Sequence, residues 1–379
     1  MTSPTTPPPV CHILPPYLLT QLVQAEEDGL ADSVQRTITL DRRMRERRAV
    51  FTERGTAEDH RLLPGAITPT RELRAPRPES APQKAQSDVA VAREIHDAHH
   101  GTTLPGKLVR AEGAPETKDV SATEAYDGLG ATWGLLHSAY GRDSLDGKGL
   151  LLVATVHYDQ SYDNAFWDGE QMVFGDGDGV YFNRFTASVD VIGHELTHGM
   201  TQYTAGLTYV AQSGALNESL SDCFGSMVKQ MALGQRADEA DWLIGAGLFT
   251  AKVNGVALRS MKAPGTAYDD PQLGKDPQPA DMDGYADLPH DSQHDNGGVH
   301  TNSGIPNRAF YLAATGIGGS SWEGAGQLWY NVLTGGSLAK DATFADFAAL
   351  TVKAAVTRFG DGSGQAAAVR SAWSTVKVL

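Results

Sequence analysis

The chain has 379 residues, of which 41% are hydrophobic and 20% are charged, and its formal net charge is −15. This length suits two or three structural units, and the acidic balance argues against nucleic acid as a partner, because nucleic-acid binding needs basic surfaces. The only two cysteines, Cys11 and Cys223, exclude a disulfide framework. No run of about 18 apolar residues occurs, so the sequence predicts no membrane span.

The N-terminal segment, residues 1–75, differs from the rest of the chain because it is rich in Arg and contains no Lys. We interpret its basic run, residues 42–48, either as a solvated helix face or as a surface that docks onto the acidic remainder. Residues 76–90 are rich in Pro and in polar residues, which is typical of a linker and of a site where proteases cut. The first residues lack the basic and apolar regions of a standard signal peptide.

The remaining chain predicts an α+β fold with a β-rich N-terminal half and an α-helical C-terminal half. The first half, residues 91–205, contains the apolar run 150–157, which favours a strand, and Gly- and Asp-rich turns. The second half covers residues 206–379. Helical periodicity begins near Ser188, and long Ala/Leu-rich stretches predict helices at 186–204, 214–233, 303–316, 322–335, 343–358 and 363–376.

A metal-binding pattern lies in the first of these helices, in the run His194-Glu195-Leu-Thr-His198. Two histidines four residues apart share one face of a helix, so their ring nitrogens can meet a single ion. Glu195 follows the first histidine directly, which suits a base that acts on water beside the metal.

The next predicted helix supplies two carboxylates, Glu218 and Asp222, which are also four residues apart. Catalytic zinc needs a third protein ligand and one open position. One carboxylate can bind the metal, and the other can accept the far N–H of a liganding histidine. The pattern therefore predicts a zinc site with two histidines and one carboxylate on two neighbouring helices.

The run from His194 to Tyr209, followed by Asn217-Glu218 and Asp222, resembles the thermolysin-like metallopeptidases. The resemblance covers the chain from about Pro105 to its C-terminus and implies a zinc-dependent endopeptidase with its site in the cleft between the two halves. It implies one zinc ion held by His194, His198 and Glu218, with Glu195 as general base. It also implies that Asp222 orients His194 and that Asn217 supports His198.

Further motifs agree with this resemblance. Asn164 and Ala165, in the run Asn-Ala-Phe-Trp, resemble the edge strand that pairs with the substrate backbone. Arg259 matches the arginine that binds a substrate carbonyl. The remaining implied residues are the oxyanion donors His300 and Tyr209, the His300-orienting Asp295, and an apolar pocket of Phe182, Phe185, Val191 and Leu258. That pocket implies cleavage on the N-terminal side of apolar residues.

The chain departs from the family at the double calcium site. Asp190 and Asp241 remain, but Lys229 stands at one expected acid, and Leu243 and Ala246 at two others. Calcium needs clustered oxygen ligands, and a lysine ammonium can neutralise the remaining aspartates instead. We therefore expect the double calcium site to be absent.

Near the N-terminus, residues 10–19 resemble the short propeptide of protealysin-type precursors, which carry a Pro-Pro-Tyr element, here Pro15-Pro16-Tyr17. The resemblance implies a zymogen inhibited by its own propeptide. Two prolines force an extended chain and remove two N–H donors, so we expect this strand to enter the cleft and to pair poorly with its edge. The thiolate of Cys11, or the ring of His12, can occupy the open position of a zinc ion.

Two other functions remain open. A zinc aminopeptidase shares the metal motif, but its Gly-x-Met-Glu-Asn element is not found here. A catalytically silent zinc-binding protein of the same fold is the second, although Glu195 and the ligands are intact.

We expect a monomer that acts on proteins and peptides. The family implies an extracellular enzyme, whereas the N-terminus leaves a cytoplasmic location or non-classical export open.

Overall fold

The computed structural model describes residues 12–23, 30–53 and 89–379. It has the α+β architecture that the sequence predicts, with strands before residue 175 and mostly helices after residue 188. Within the described ranges, no helix is long and apolar enough to cross a membrane.

A five-stranded mixed sheet forms the core of the first half. Its spatial order is β2-β1-β3-β5-β4, with parallel pairing of β1 to β3 and of β3 to β5. Strand β4 pairs with β5 antiparallel and is the last strand of this sheet, so it forms an edge. The strands are β1 (Arg93–Asp97), β2 (Lys107–Ala111), β3 (Leu152–Val156), β4 (Ala165–Trp167) and β5 (Met172–Phe174).

The β-rich half also contains a long helix that the sequence analysis did not predict, α3 (Val120–Tyr140). Asp119 begins it, because its side chain accepts a hydrogen bond from the N–H of Ala122, and Gly141 ends it in the left-handed conformation. Glycines in the segment weaken helix propensity. Tertiary packing compensates, since one face of α3 is buried.

Two helices carry the metal motif and cross at close range, α4 (Val189–Gln202) and α5 (Ala211–Leu233). A Cβ atom added at Gly225 would lie 2.3 Å from the carbonyl oxygen of Asp190, so the two backbones are in contact there. This close approach lets side chains from both helices meet at one point. The helices that follow are α6 (Asp295–Asn302), α7 (Gly304–Ile317), α8 (Ala325–Thr334), α9 (Phe344–Phe359) and α10 (Gly364–Thr375).

The N-terminal segment adds a short non-helical stretch, residues 12–14, and two helices, α1 (Pro16–Val23) and α2 (Leu30–Glu53). Residues 12–14 lie beside β4, with an antiparallel bridge between His12 and Phe166. The expected role of the two prolines is wrong: they do not form the cleft strand, because Pro15 precedes α1 and Pro16 is its first residue. The fixed φ of proline and its missing N–H suit the first turn of a helix.

Candidate active site

The metal cluster consists of His194 and His198 on α4 and Glu218 on α5. One ligand atom from each of the three lies within 4.8 Å of the other two, and all three side chains are buried. Among the described residues, this is the one group of three or more His, Cys, Asp or Glu side chains with metal-binding geometry. The structure thus brings together the three residues that the sequence analysis named.

Hydrogen bonds fix the orientation of both histidine rings. Nδ1 of His194 lies 2.7 Å from Oδ1 of Asp222, and Nδ1 of His198 lies 2.9 Å from Oδ1 of Asn217. Ser221, to which the sequence analysis assigned no role, has its Oγ 3.1 Å from Nδ1 of His198. Because a carboxylate or amide oxygen only accepts, each Nδ1 carries a proton, and in the neutral imidazole Nε2 then keeps a lone pair.

These lone pairs show that the residues fit a cation. The Nε2 atoms of His194 and His198 face each other at 3.0 Å, where two acceptors repel unless a positive charge lies between them. Oε2 of Glu218 is buried and has no hydrogen-bond partner among the described residues. Two imidazole nitrogens and one carboxylate are the donor set of a catalytic zinc site with an open position.

Glu195 lies next to this cluster and is fully buried. The backbone N–H of Trp167, in edge strand β4, donates to Oε2 of Glu195 at 3.1 Å. This hydrogen bond holds the carboxylate of Glu195 beside β4, the strand along which an extended peptide would lie. A carboxylate so placed can accept a proton from a water molecule beside the metal.

His300 reaches the cluster from α6. The chain before it passes through left-handed conformations at Asn296, Gly297 and Gly298, which turn the ring inward. Nδ1 of His300 lies 2.6 Å from Oδ1 of Asp295. Burial lowers the pKa of His300, but the carboxylates of Asp295 and Glu218 raise it to about 9. The imidazole is therefore charged at neutral pH, and Nε2 is available as a donor.

Tyr209 stands between the metal cluster and His300. Its hydroxyl donates to Oε1 of Glu218 and lies 3.4 Å from Nε2 of His300. Both side chains are buried. The two groups that the resemblance names as oxyanion donors are therefore adjacent.

Arg259 extends from a short strand, Arg259–Ser260, and binds Asp222 through two nitrogens, each at 2.8 Å. Burial alone would raise the pKa of Asp222, but Arg259 and His194 hold it well below its usual range. Asn307, which the sequence analysis did not single out, also donates to Asp222 at 2.8 Å. The carboxylate behind His194 is thus ionised and fully hydrogen-bonded.

Residues 12–14 occupy the cleft above the cluster. The carbonyl of His12 accepts from Nε2 of His300 at 2.9 Å, and the carbonyl of Ile13 accepts from Arg259 at 3.1 Å. The edge strand makes two further contacts at the same place. The N–H of Ile13 donates to the carbonyl of Ala165 at 3.1 Å, and that of Leu14 donates to Oδ1 of Asn164 at 3.0 Å.

The apolar pocket residues named from the sequence, Phe182, Phe185, Val191 and Leu258, are at most 2% exposed. They and Ile13, whose side chain is fully buried, all belong to the main hydrophobic core of the molecule. Tyr17, the last residue of the Pro-Pro-Tyr element, packs against this core. Burial raises its pKa well above the ordinary value, so its hydroxyl stays neutral.

Asp41, on α2, joins the N-terminal segment to the cleft, and sequence reasoning missed it. Its carboxylate accepts from the hydroxyl of Tyr162 at 2.5 Å and from Nδ2 of Asn164 at 2.9 Å, and it lies 3.3 Å from Nε2 of His12. The expectation that the His12 ring occupies the metal position is wrong, because the ring lies between Asp41 and Phe166. Cys11 lies outside the described residues.

At the position of the family's double calcium site, the ammonium of Lys229 lies among oxygens. It donates to Asp190 at 3.3 Å, to Asp241 at 2.9 Å and to the carbonyl of Leu243 at 3.1 Å. Burial raises the pKa of Asp190, and Lys229 opposes that rise. The positive charge among these oxygens is therefore supplied by the chain itself.

Comparison with known proteins agrees with this geometry. The family model described as thermolysin metallopeptidase, catalytic domain, matches residues 83–202, and the model of its alpha-helical domain matches residues 205–378. The chain is 47% identical over 370 residues to an extracellular metalloprotease from Pectobacterium carotovorum subsp. carotovorum, covering 98% of this chain and 97% of the relative. It is 55% identical over 269 residues to protease PrtS from Photorhabdus sp. (strain Az29), covering 71% of this chain and 72% of that protein.

A solved structure is also similar over nearly the whole chain. It is the precursor of protealysin, a metalloproteinase from Serratia proteamaculans, with a TM-score of 0.81 and 47% sequence identity. The match covers 97% of this chain and 100% of that one.

A helix-borne His-Glu-x-x-His motif with a downstream glutamate, in a cleft between a sheet and a helical half, defines a zinc metallopeptidase. The chain belongs to the thermolysin metallopeptidase family and is a metalloendopeptidase of that family. The expected family, fold class and enzyme class are thereby confirmed.

Proposed function

We propose that this chain is the zymogen of a zinc endopeptidase that cleaves proteins and peptides on the N-terminal side of apolar residues. In this proposal residues 1–75 are the propeptide and residues 76–90 the linker. The catalytic part comprises residues 91–205, which end in the zinc-binding helix, and the helical residues 206–379. One observation carries the proposal: residues 12–14 lie in the cleft, bridged to edge strand β4 at His12, and their backbone contacts the residues expected to bind substrate.

The register of this strand indicates how a substrate would bind. A substrate in the same position would place one carbonyl oxygen at His300, where the carbonyl of His12 now lies, and the next at Arg259. The carbonyl at His300 is then the one under attack, and the side chain after it occupies the place of Ile13. Because that place is apolar and closed, we infer a preference for apolar residues directly after the scissile bond.

The proposed roles of the residues follow from their positions. His194, His198 and Glu218 would hold the zinc, with Asp222 and Asn217 fixing the two rings. When bound there, zinc supplies Lewis-acid chemistry that polarises water and the scissile carbonyl.

The protein's own groups carry the proton transfer and the charge stabilisation. Glu195 takes the proton of the attacking water and passes it to the leaving amine. Tyr209 and His300, the latter held by Asp295, donate to the developing oxyanion, and loss of one such donor typically costs about 10²–10³ in rate. Arg259 holds the following carbonyl, and Asn164 and Ala165 hold the backbone.

The propeptide is proposed to inhibit the enzyme by occupying the substrate-binding cleft. A strand that already uses His300, Arg259 and the β4 edge excludes a substrate from them. The buried contacts of Asp41 attach this strand to α2, so the propeptide docks as one unit.

The location, oligomeric state and calcium content are part of the same proposal. A relative that aligns over almost its whole length is named an extracellular metalloprotease, which supports an extracellular site of action. We propose a monomer, because no second chain is needed to complete the cluster. We further propose that the double calcium site is absent, because Lys229 occupies the oxygens that a cation would use.

Intact mass spectrometry of the full-length chain and its Glu195→Ala variant tests the enzyme proposal. We expect the wild type to lose its N-terminal segment with time and the variant to stay intact, because only the wild type can cut the linker. If neither chain shortens, the silent zinc-binding alternative gains support. If both shorten at one rate, another protease makes the cut and self-processing is refuted.

A further inference from the structure

The carboxylate of Asp222 accepts four hydrogen bonds although it is fully buried. Oδ1 accepts from Nδ1 of His194 at 2.7 Å and from Nη2 of Arg259 at 2.8 Å. Oδ2 accepts from Nε of Arg259 at 2.8 Å and from Nδ2 of Asn307 at 2.8 Å. A buried carboxylate is tolerated only when its charge is paired and its lone pairs are used. Three of these four donor groups belong to His194 and Arg259, which have proposed roles in the site. The fourth belongs to Asn307, which has none.

Asn307 lies on α7 and is fully buried, and its helix neighbours Ile305, Ala309 and Phe310 are also buried and apolar. Its Oδ1 has no hydrogen-bond partner among the described residues, so the acceptor group of the amide is unused there. A buried polar group in this state is costly, whereas leucine has nearly the same size and no such cost. The contact with Asp222 is the interaction that accounts for an amide at this position.

The hydrogen bond from Asn307 acts on the orientation of the Asp222 carboxylate. Without it, Oδ2 would keep only Nε of Arg259, and the carboxylate could turn toward the guanidinium and away from His194. The proton position and ring angle of His194 both depend on Oδ1 of Asp222. A change at Asn307 therefore reaches the metal through two hydrogen bonds.

We propose that Asn307 is a positioning residue for the metal centre, which holds Asp222 in the orientation that fixes His194. This inference rests on the proposed zinc site at His194, His198 and Glu218. Removing a partner that hydrogen-bonds directly to a metal ligand typically costs about 10–100-fold in metal affinity. Asn307 bonds to Asp222 and not to a metal ligand directly, so we expect a loss of metal affinity near the lower end of this range, about tenfold.

Zinc release measures this effect without relying on activity. The full-length chain is prepared in a Glu195→Ala background, which keeps the proposed ligands and prevents self-cleavage. It is loaded with zinc, and transfer of zinc to an excess of a coloured chelator is followed with time. The variants are Asn307→Leu, which keeps the size and removes the donor, and Asn307→Ser, which is smaller and leaves room for a water that can donate to Asp222.

Thr351→Val is the matched control. Thr351 is fully buried on α9. Its hydroxyl accepts from Nε1 of Trp373 at 2.8 Å and donates to the carbonyl of Ala348 at 2.9 Å, so this change also removes buried hydrogen bonds while the volume stays nearly the same. These two hydrogen bonds of Thr351 involve neither Asp222 nor the metal cluster. The Thr351→Val variant therefore shows how much zinc release changes when buried hydrogen bonds outside the site are lost.

We expect zinc to leave the Asn307→Leu chain about tenfold faster than the parent, the Asn307→Ser chain at an intermediate rate, and the Thr351→Val chain at the parent rate. If the leucine variant does not fold, the serine variant decides the question. Parent rates in the folded Asn307 variants would overturn the inference, and so would equal acceleration in Thr351→Val. A parent chain that takes up no zinc would instead refute the proposed metal site.

Discussion

Truncation of Ile13 tests whether the strand in the cleft inhibits the enzyme. The side chain of Ile13 is fully buried in the main hydrophobic core, which also contains the proposed specificity pocket. Truncating a buried aliphatic side chain to alanine costs about 2–5 kcal/mol, and we take about 3 kcal/mol for Ile13→Ala. Because each 1.4 kcal/mol is a factor of ten, the docked state should become about a hundredfold less favoured.

The assay is the initial rate at which uncut chain hydrolyses a short fluorogenic peptide, divided by the rate after complete maturation. In a docked precursor the first rate reports the undocked fraction, so the ratio should rise about a hundredfold in Ile13→Ala, up to a limit of one. The mature enzyme lacks residue 13, so its activity is the same in both preparations and serves as an internal reference. Gln21→Ala, an exposed change on α1, is the control and should leave the ratio unchanged.

An unchanged ratio in Ile13→Ala would refute the reasoning, because the strand would then contribute nothing to inhibition. A rise of the same size in Gln21→Ala would also refute it. That result would mean that any change in the segment loosens it, whatever the buried contact.

Three further predictions concern the metal, the sheet and the lysine site. Excess chelator should abolish the activity of the mature enzyme and added zinc should restore it; activity that survives complete zinc removal, checked by elemental analysis, would contradict the metal proposal. His157 donates hydrogen bonds to the carboxylates of Asp176 and Asp119, and these bonds, opposed by burial, raise its pKa from 6.5 to about 9. Since the folded-state pKa is raised, His157 should add at most about 3 kcal/mol to the free energy of unfolding below pH 6.5, and this contribution is lost as the pH rises through 9. Denaturant unfolding measures it: the free energy of unfolding of His157→Gln should be lower than that of the wild type at low pH, and the gap should shrink as the pH rises. Lys229→Met should leave the carboxylate of Asp190 buried without its cation, so the free energy of unfolding should fall by about 3 kcal/mol in the same assay. Added calcium should leave the melting temperature of the wild type unchanged. Stabilisation by calcium would contradict the proposed absence of the double calcium site.

Local patterns predicted a metal site of two histidines and one carboxylate and most helices of the second half, and the family resemblance assigned Glu218 as the third ligand. The four-residue spacing of His194 and His198 fixes them on one helical face, and the same spacing of Glu218 and Asp222 does so on the next helix. The stretch 343–358 corresponds to α9, where Thr343 and Asp346 form a capping box. Periodicity and capping act within a few residues, so they can be read directly from sequence.

Features that depend on distant contacts were not predicted. Helix α3 contains Gly128, Gly130 and Gly134, which lower intrinsic helix propensity, and its packing on the sheet and on α4 overrides that preference. Asp41 gives no local signal, because its partners Tyr162 and Asn164 are more than 120 residues away in the chain.

The contacts of the cleft strand also indicate how the propeptide must be released. His300, Arg259 and Ala165 bind main-chain atoms of residues 12–14, as they would bind any extended peptide, and these contacts do not involve the linker. Cutting the linker therefore removes the tether and leaves the docking contacts intact, so we expect a freshly cut chain to gain activity only as its propeptide dissociates. Diluting such a sample tenfold should then raise its specific activity, because dissociation is favoured by dilution. Full specific activity at the moment of cleavage, independent of dilution, would show that the tether alone keeps the strand in the cleft.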